Sequence, residues 1–143
     1  NFIYLNPSTK PELTIKGAYP VFNYQQANAR ISGADVKVTT DIFNHLKVTA
    51  KAMLLRAWNE DLNDYLVYMP SDRYTAEVNY YFNAGKHFAN NFIQVNYTYV
   101  TKQWRVPQNT DFATPPDGYG LLGFEIGSDL KFGKQTIYQK GHP

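Results

Sequence analysis

The chain has 143 residues, with 14 Lys and Arg against 12 Asp and Glu and a formal net charge of +2. That length suffices for one domain with an ordinary core. The charge gives no sign of the clustered basic face that nucleic acid demands, so no nucleic-acid partner is expected. Cysteine is absent, which excludes a disulfide framework, a thiolate metal site and a cysteine nucleophile, and fits an extracytoplasmic compartment. The 12 Tyr, 9 Phe and 2 Trp, with many Val and Thr, lean toward strand.

No signal peptide is visible, and no apolar run approaches the roughly 18 residues of a membrane helix. A helical span is thereby excluded. A membrane barrel is not, because its strands need only about 9–11 alternating residues.

Residues 1–6 (NFIYLN) open as a strand. Residues 7–20, rich in proline, read as a long loop. Residues 21–42 form a long extended segment, clearest where Ala34, Val36, Val38, Thr40 and Ile42 alternate with Asp35, Lys37, Thr39 and Asp41. Ala29 and Ile31 have the opposite parity, which predicts a bulge or bend near Ser32-Gly33. After a turn at residues 43–45, residues 46–58 alternate Leu46, Val48, Ala50, Ala52 and Leu54 with Lys47, Thr49 and Lys51. Their Ala, Met, Leu and Arg also suit a helix, but the alternation favours a strand.

Residues 59–72 (NEDLNDYLVYMPSD) read as a polar connection. Residues 73–82 alternate again, with Tyr74, Ala76, Val78, Tyr80 and Phe82 opposite Thr75, Glu77, Asn79 and Tyr81. A turn over residues 83–90 leads into the stretch that organises the chain, residues 91–131. Ile93, Val95, Tyr97 and Tyr99 there oppose Gln94, Asn96 and Thr98, while Leu122, Phe124, Ile126 and Leu130 oppose Gly123, Glu125, Gly127 and Asp129. Between them, residues 104–118 are a long polar loop, and loops of that length are usually functional or disordered. A tight turn after Lys131 and a short strand at residues 135–138 close the pattern.

Connections thus run long, short, long, short, long, short. In an up-and-down antiparallel sheet, alternate links share an end, so long loops gather at one end and short turns at the other. Outer-membrane barrels have this asymmetry, and aromatic residues near strand ends suit their girdles. A soluble sheet whose apolar face packs on a partner layer satisfies the same periodicity.

Chemistry-bearing residues are sparse. The run Asn59-Glu60-Asp61-Leu62-Asn63-Asp64 offers alternating oxygen donors, yet a calcium loop's glycine and terminal glutamate are missing, which favours a solvated acidic loop. His45, His87 and His142 are isolated, so no metal site is expected. Glu77 and Glu125 lie on polar strand faces, and without a nucleophile–base motif no catalytic residue and no enzyme activity are expected. Tyr65, Tyr68, Trp104, Arg105 and Phe112 sit on the long loops, where aromatic and cationic side chains either contact a ligand or pack loop on loop.

Three stretches resemble a known family. Tyr24-Gln25-Gln26-Ala27-Asn28-Ala29-Arg30-Ile31-Ser32-Gly33-Ala34-Asp35 is similar to the "YQQA-A---GAE" strand in the C-terminal half of TonB-dependent outer-membrane receptors. Met69-Pro70-Ser71-Asp72-Arg73 resembles the family's "MPPDR" segment. The run from Trp104 through Arg105, Val106, Pro107, Gln108, Asn109, Thr110, Asp111, Phe112 and Pro115 to Tyr119 resembles its "RVPENTDFAPPPGY" loop. The matches keep the family's order and spacing and, with their flanking strands, cover nearly the whole chain.

The resemblance implies an all-β chain: an antiparallel up-and-down sheet of about six or seven strands, a fragment of a larger transmembrane β-barrel in the outer membrane of a Gram-negative bacterium. The family imports scarce nutrients such as metal chelates, driven by the inner-membrane TonB complex acting through a plug domain. Outer-membrane lipid, the plug and TonB, and a nutrient ligand are the implied partners; no cofactor is implied. The family's plug, TonB-contacting box and aromatic-ended final strand have no counterpart here, and so few strands cannot close a barrel of that size. The expectation is a receptor segment that transports nothing by itself. Its lipid face would be Val36, Val38, Leu46, Val48, Val78, Tyr80, Val95, Tyr97, Phe124 and Ile126. Its lumen face would be Asp35, Lys37, Lys47, Lys51, Glu77, Asn79, Gln94, Asn96, Glu125 and Asp129. A sheet with a greasy face and free edges should self-associate when isolated. The rival reading is a soluble β-sheet module binding sugar or lipid.

Overall fold

The structure, a computed structural model, describes residues 1–8, 10–85, 87–107, 114–132 and 135–141, with residues 131–132 and 135–141 described by their backbone. Its strands are β1 (Phe2–Pro7), β2 (Glu12–Thr14), β3 (Gly17–Tyr19), β4 (Phe22–Ala27), β5 (Ala29–Phe43), β6 (Leu46–Asn59), β7 (Asp64–Tyr65), β8 (Arg73–Phe82), β9 (Phe88–Val100), β10 (Tyr119–Phe132) and β11 (Gln135–Gly141). No helix occurs among the described residues, so the chain is all-β and β6 follows its alternation rather than its helix propensity.

The large sheet has the order β11-β10-β9-β8-β6-β5, with the short β7 attached to β6. The pairings of β10 with β11, β9 with β10, β6 with β7, β6 with β8 and β8 with β9 are antiparallel. Sequential strands therefore lie side by side, as short loop-closure paths favour. Residues 44–45 and 83–87 make the short links; residues 60–72 and 101–118 make the long ones, which leave the opposite end of the meander.

Two expectations about the first twenty residues need correction. Residues 7–20 are not a plain loop, because β2 and β3 pair there as a hairpin. Gly17, at φ +130°, supplies the backbone that turn requires, and the Thr14 hydroxyl donates to the Gly17 carbonyl at 3.2 Å. The first strand does not join the meander either: β1 pairs with β4, Tyr4 opposite Gln25 and Phe2 opposite Ala27. β5 is assigned continuously from Ala29 to Phe43, and the strand break before it falls at Asn28. A Cβ at Gly33 would come within 3.0 Å of the Leu54 carbonyl oxygen.

The chain divides into two compact units. The first comprises Asn1–Gly33, Leu54–Ser71 and Lys102–Asp117. Its small core joins Tyr4, Ala27 and Val67, with Phe2 packed against them. The 59–72 connection, expected to be polar loop, is here a folded hairpin. Trp58 lies opposite Tyr65 and Asn59 opposite Asp64, and Leu66 donates its amide to the Ala57 carbonyl. The buried Asn59 side chain accepts the amides of Asp61 and Leu62, and Asn63 closes the turn in the left-handed region. That geometry turns Leu66, 1 % exposed, into the interior.

The second unit comprises Ala34–Met53, Asp72–Thr101 and Gly118–Pro143. Here register converts alternation into faces. Val48, Val78, Val95 and Phe124 stand in one cross-strand rung; Leu46, Tyr80, Ile93 and Ile126 form the next on that face. On the other face run Lys47, Asn79, Gln94 and Glu125, then Thr49, Glu77, Asn96 and Gly123. A bulge interrupts β9 and β10 between Gly127 and Asp129, where Asn90 adopts φ +49°. The extra residue lets pairing continue to Phe88, so β9 begins earlier than alternation alone predicts.

Exposure inverts the ordinary amphipathic order. Val78, Val95 and Phe124 are 41, 42 and 46 % exposed, whereas the polar-face Thr49 and Asn79 are 3 and 5 % exposed. Hydrogen bonds hold the polar face together. Thr39 and Thr49 share one at 3.1 Å, Thr75 and Thr98 another at 3.0 Å, and Asn79 Nδ2 donates to Glu77 Oε1 at 3.0 Å. Lys51 Nζ reaches the other Glu77 oxygen at 3.4 Å. Ser128 donates to Asn91 Oδ1, and Asn91 Nδ2 to the Phe82 carbonyl. Among the described residues every buried side-chain nitrogen or oxygen has a partner, as low local dielectric demands.

Candidate functional site

The described loop residues expected to meet a ligand stand in different local surroundings. Tyr65, held on β7 opposite Trp58, sets its ring edge-on against that indole at 5.2 Å and 81°. Packing against its own hairpin thus explains this tyrosine. Tyr68 is exposed and holds φ +59°, a conformation costing a non-glycine residue about 1–2 kcal/mol. Trp104, 72 % exposed, lies beneath Lys102, whose Nζ stands 5.0 Å from the ring centroid. Lys102 also pairs with Asp117 at 2.5 Å. Arg105 is half-buried, and its amide donates to Gln103 Oε1 at 3.1 Å. Phe112 and His142 lie outside the described residues, as does the 108–113 part of the loop motif.

Gln103 fixes the backbone that presents Trp104 and Arg105. It is buried, and its Nε2 donates to the Met69 carbonyl at 2.5 Å. Gln103→Ala should cost about 1–3 kcal/mol, since it orphans that carbonyl and the Arg105 amide together. Hydrogen exchange at the Arg105 amide is the measurement; unaltered protection would contradict the assignment.

A cavity of about 240 Å³ does form, lined by Arg30, Ser32, Arg56, Ala57, Trp58 and Tyr65. Among the described residues expected to meet a ligand, Tyr65 lines it. Arg30 and Ser32 sit two apart on β5, Arg56 and Trp58 two apart on β6, so each pair shares one side of its strand. Those Arg-x-Ser and Arg-x-Trp doublets, on the two arms of one hairpin, were the available signal. The arginine Nη1 of residue 56 donates to the Leu55 carbonyl at 2.8 Å.

The acidic run has a structural job. Asp61 accepts the Asn28 amide on Oδ2 at 2.7 Å and the Asn28 side-chain amide on Oδ1 at 3.0 Å, while Glu60 donates its amide to the Asn28 carbonyl. The strand break at Asn28 is thereby clamped to the turn after β6. The backbone bond from Asn28, then the side-chain bond, hold the Asp61 carboxyl below the ordinary aspartate value of 3.8. A lowered carboxyl pKa means stabilisation that is fully present above 3.8 and lost as pH falls through the folded value. Acid titration of the Asn28 amide resonance should accordingly show a midpoint below 3.8, abolished in Asp61→Asn. A midpoint at or above 3.8 would contradict the clamp.

Glu77 and Glu125 share the polar face, two strands and two residues apart, about 12 Å between Cα atoms by ladder spacings. Both Glu77 oxygens are occupied, by Lys51 and Asn79.

Compared with family models, curated proteins and solved structures, the chain matches none.

Proposed function

We propose that this chain is part of the wall of a transmembrane β-barrel, a segment of an outer-membrane receptor that imports a scarce nutrient such as a metal chelate in a TonB-dependent manner. One observation carries the membrane reading: Val78, Tyr80, Val95, Phe124 and Ile126 on one face of the sheet stand exposed, while Thr49 and Asn79 on the opposite face are buried and hydrogen-bonded. In water this arrangement leaves apolar area unburied at about 25 cal/mol per Å². In a bilayer the same rungs are solvated by acyl chains, and the polar face lines an interior. Strand lengths support this reading, because β5, β6, β8, β9 and β10 have 15, 14, 10, 13 and 14 residues, and about 9–11 tilted residues span the hydrocarbon. Tyr80 and Phe82 stack at 6.0 Å toward the end of β8, as girdle aromatics do. The grouping of long links at one end of the meander adds to it.

Import, the plug and the TonB complex rest on the resemblance of residues 24–35, 69–73 and 104–119 to the receptor family. In that setting the Asn, Thr, Lys and Glu of the polar face would meet the plug and line the ligand's route.

Fractionation of the source cells tests this. An antibody against the chain should reveal an outer-membrane band several times the chain's own mass that shifts between unheated and heated gel lanes. A soluble band at the chain's own mass would overturn the proposal and leave a soluble binding module.

A further inference from the structure

We propose that the outer edge of β5 is an interface on which a second copy of this chain adds its own β5, antiparallel and centred on Thr39. This goes beyond the receptor reading, and its failure would leave that reading untouched. β5 ends the large sheet, with β6 on one side, and among the described residues no strand pairs with its other side. Every residue from Arg30 to Phe43 is exposed. An open edge of this kind is a template for another strand, and proteins usually blunt it with proline, a bulge or several lysines. Residues 34–43 (ADVKVTTDIF) contain no proline and a single lysine, and their Val, Thr, Ile and Phe favour a further strand.

Charge selects the occupant. Asp35, Lys37, Thr39 and Asp41 share one face of β5 by the two-residue period of a strand. Among the described residues no hydrogen bond or ion pair engages Lys37, and Asp41, its side chain 71 % exposed, meets Lys47 only at 3.8 Å. Two-fold pairing about Thr39 sets Lys37 opposite the partner's Asp41 and, by symmetry, Asp41 opposite the partner's Lys37. Opposed side chains in an antiparallel pair lie on the same face. On the other face Val36 therefore meets the partner's Ile42, and Val38 the partner's Thr40. Asp35 falls opposite the partner's Phe43 at the margin.

Neighbouring registers do worse. A centre at Lys37 opposes two lysines, and a centre at Val38 opposes Asp35 to Asp41. A centre at Thr40 pairs no charges. A centre at Val36 pairs Lys37 with Asp35 but sets Ile31 against Asp41 and Arg30 against Ile42. The Thr39 register alone among these gives two opposite-charge pairs and keeps Val against Ile.

The chain has no cysteine, so single cysteines report this register. Residue 39 would stand about 4.5–5.5 Å from its own copy between Cα atoms, within disulfide reach. Under mild oxidation in detergent micelles, Thr39→Cys should give a disulfide dimer. Val36→Cys should not, because residue 36 would lie about 20 Å from its copy. Sedimentation equilibrium in density-matched micelles then measures the dimer without crosslinking. Lys37→Glu and Asp41→Lys should each raise the dimer Kd by at least about tenfold, since like charges then face each other twice. An equimolar mixture of these two variants should regain the wild-type dimer, because each meets its opposite charge in the other. A wild-type chain that stays monomeric overturns the proposal, and an edge held by any other strand gives that same result. Val36→Cys crosslinking as readily as Thr39→Cys overturns it too, marking face-to-face association. So does a mixture no tighter than its components. Thr39 shares a hydrogen bond with Thr49. Should Thr39→Cys lose its strand circular dichroism, the mixing experiment, which needs no cysteine, decides.

Discussion

Val95→Arg is expected to destabilise the protein in a bilayer by about 2–4 kcal/mol. In water the same change at a side chain already 42 % exposed should cost no more than about 0.5 kcal/mol. Val95 makes the contrast sharp because it is central in β9, flanked by Val78 on one side and Phe124 on the other. None of the three is buried by protein, so the penalty arises almost wholly from the surrounding solvent. A control on the opposite face completes the test. Gln94→Arg, between Asn79 and Glu125, adds a charge among polar groups and should cost far less in the bilayer. Urea titration of the protein refolded into lipid vesicles measures both. Equal effects for the two variants would contradict the face assignment.

Leu66→Ala is the second large effect, at about 2–3 kcal/mol. Leu66 is the largest fully buried side chain among the described residues, and its amide extends the β6–β7 pairing to Ala57. Hydrogen exchange at the Leu66 amide should accelerate by about 30- to 150-fold, the same free energy expressed as a rate ratio. Unchanged exchange would show that the hairpin stands without its anchor.

Legibility in the sequence followed the length of uninterrupted alternation. β8 was readable to its ends, because Tyr74 to Phe82 alternate without glycine or proline and Pro70 and Gly85 bracket them. β2 and β3 were not, since three residues carry one alternation at most and the flanking prolines read as loop. β7 escaped for the same reason. The burial of Val67 depends on a meeting with Tyr4 and Ala27, far away in the chain, which no local pattern encodes. Parity fails at a bulge, and Asn90 in the left-handed region hid the first residues of β9.

Of the candidate site, aromatic character pointed to Tyr65 but overlooked its neighbours. Arg30 and Arg56 lie on strands, where isolated cations read as an ordinary solvated face. Only the pairing of β5 with β6 turns them into one cavity. The exposure of the apolar rungs was likewise beyond periodicity, because alternation defines two faces without saying which one protein covers.

The absence of cysteine makes one measurement particularly clean. Single cysteines placed in turn from Ile93 to Tyr99 on β9, spin-labelled and reconstituted in lipid vesicles, report collision with oxygen in the hydrocarbon and with a polar nickel chelate in water. Positions 93, 95, 97 and 99 should favour oxygen and positions 94, 96 and 98 the chelate, with a period of two. Uniform access to the chelate at all seven positions would contradict a membrane-spanning wall.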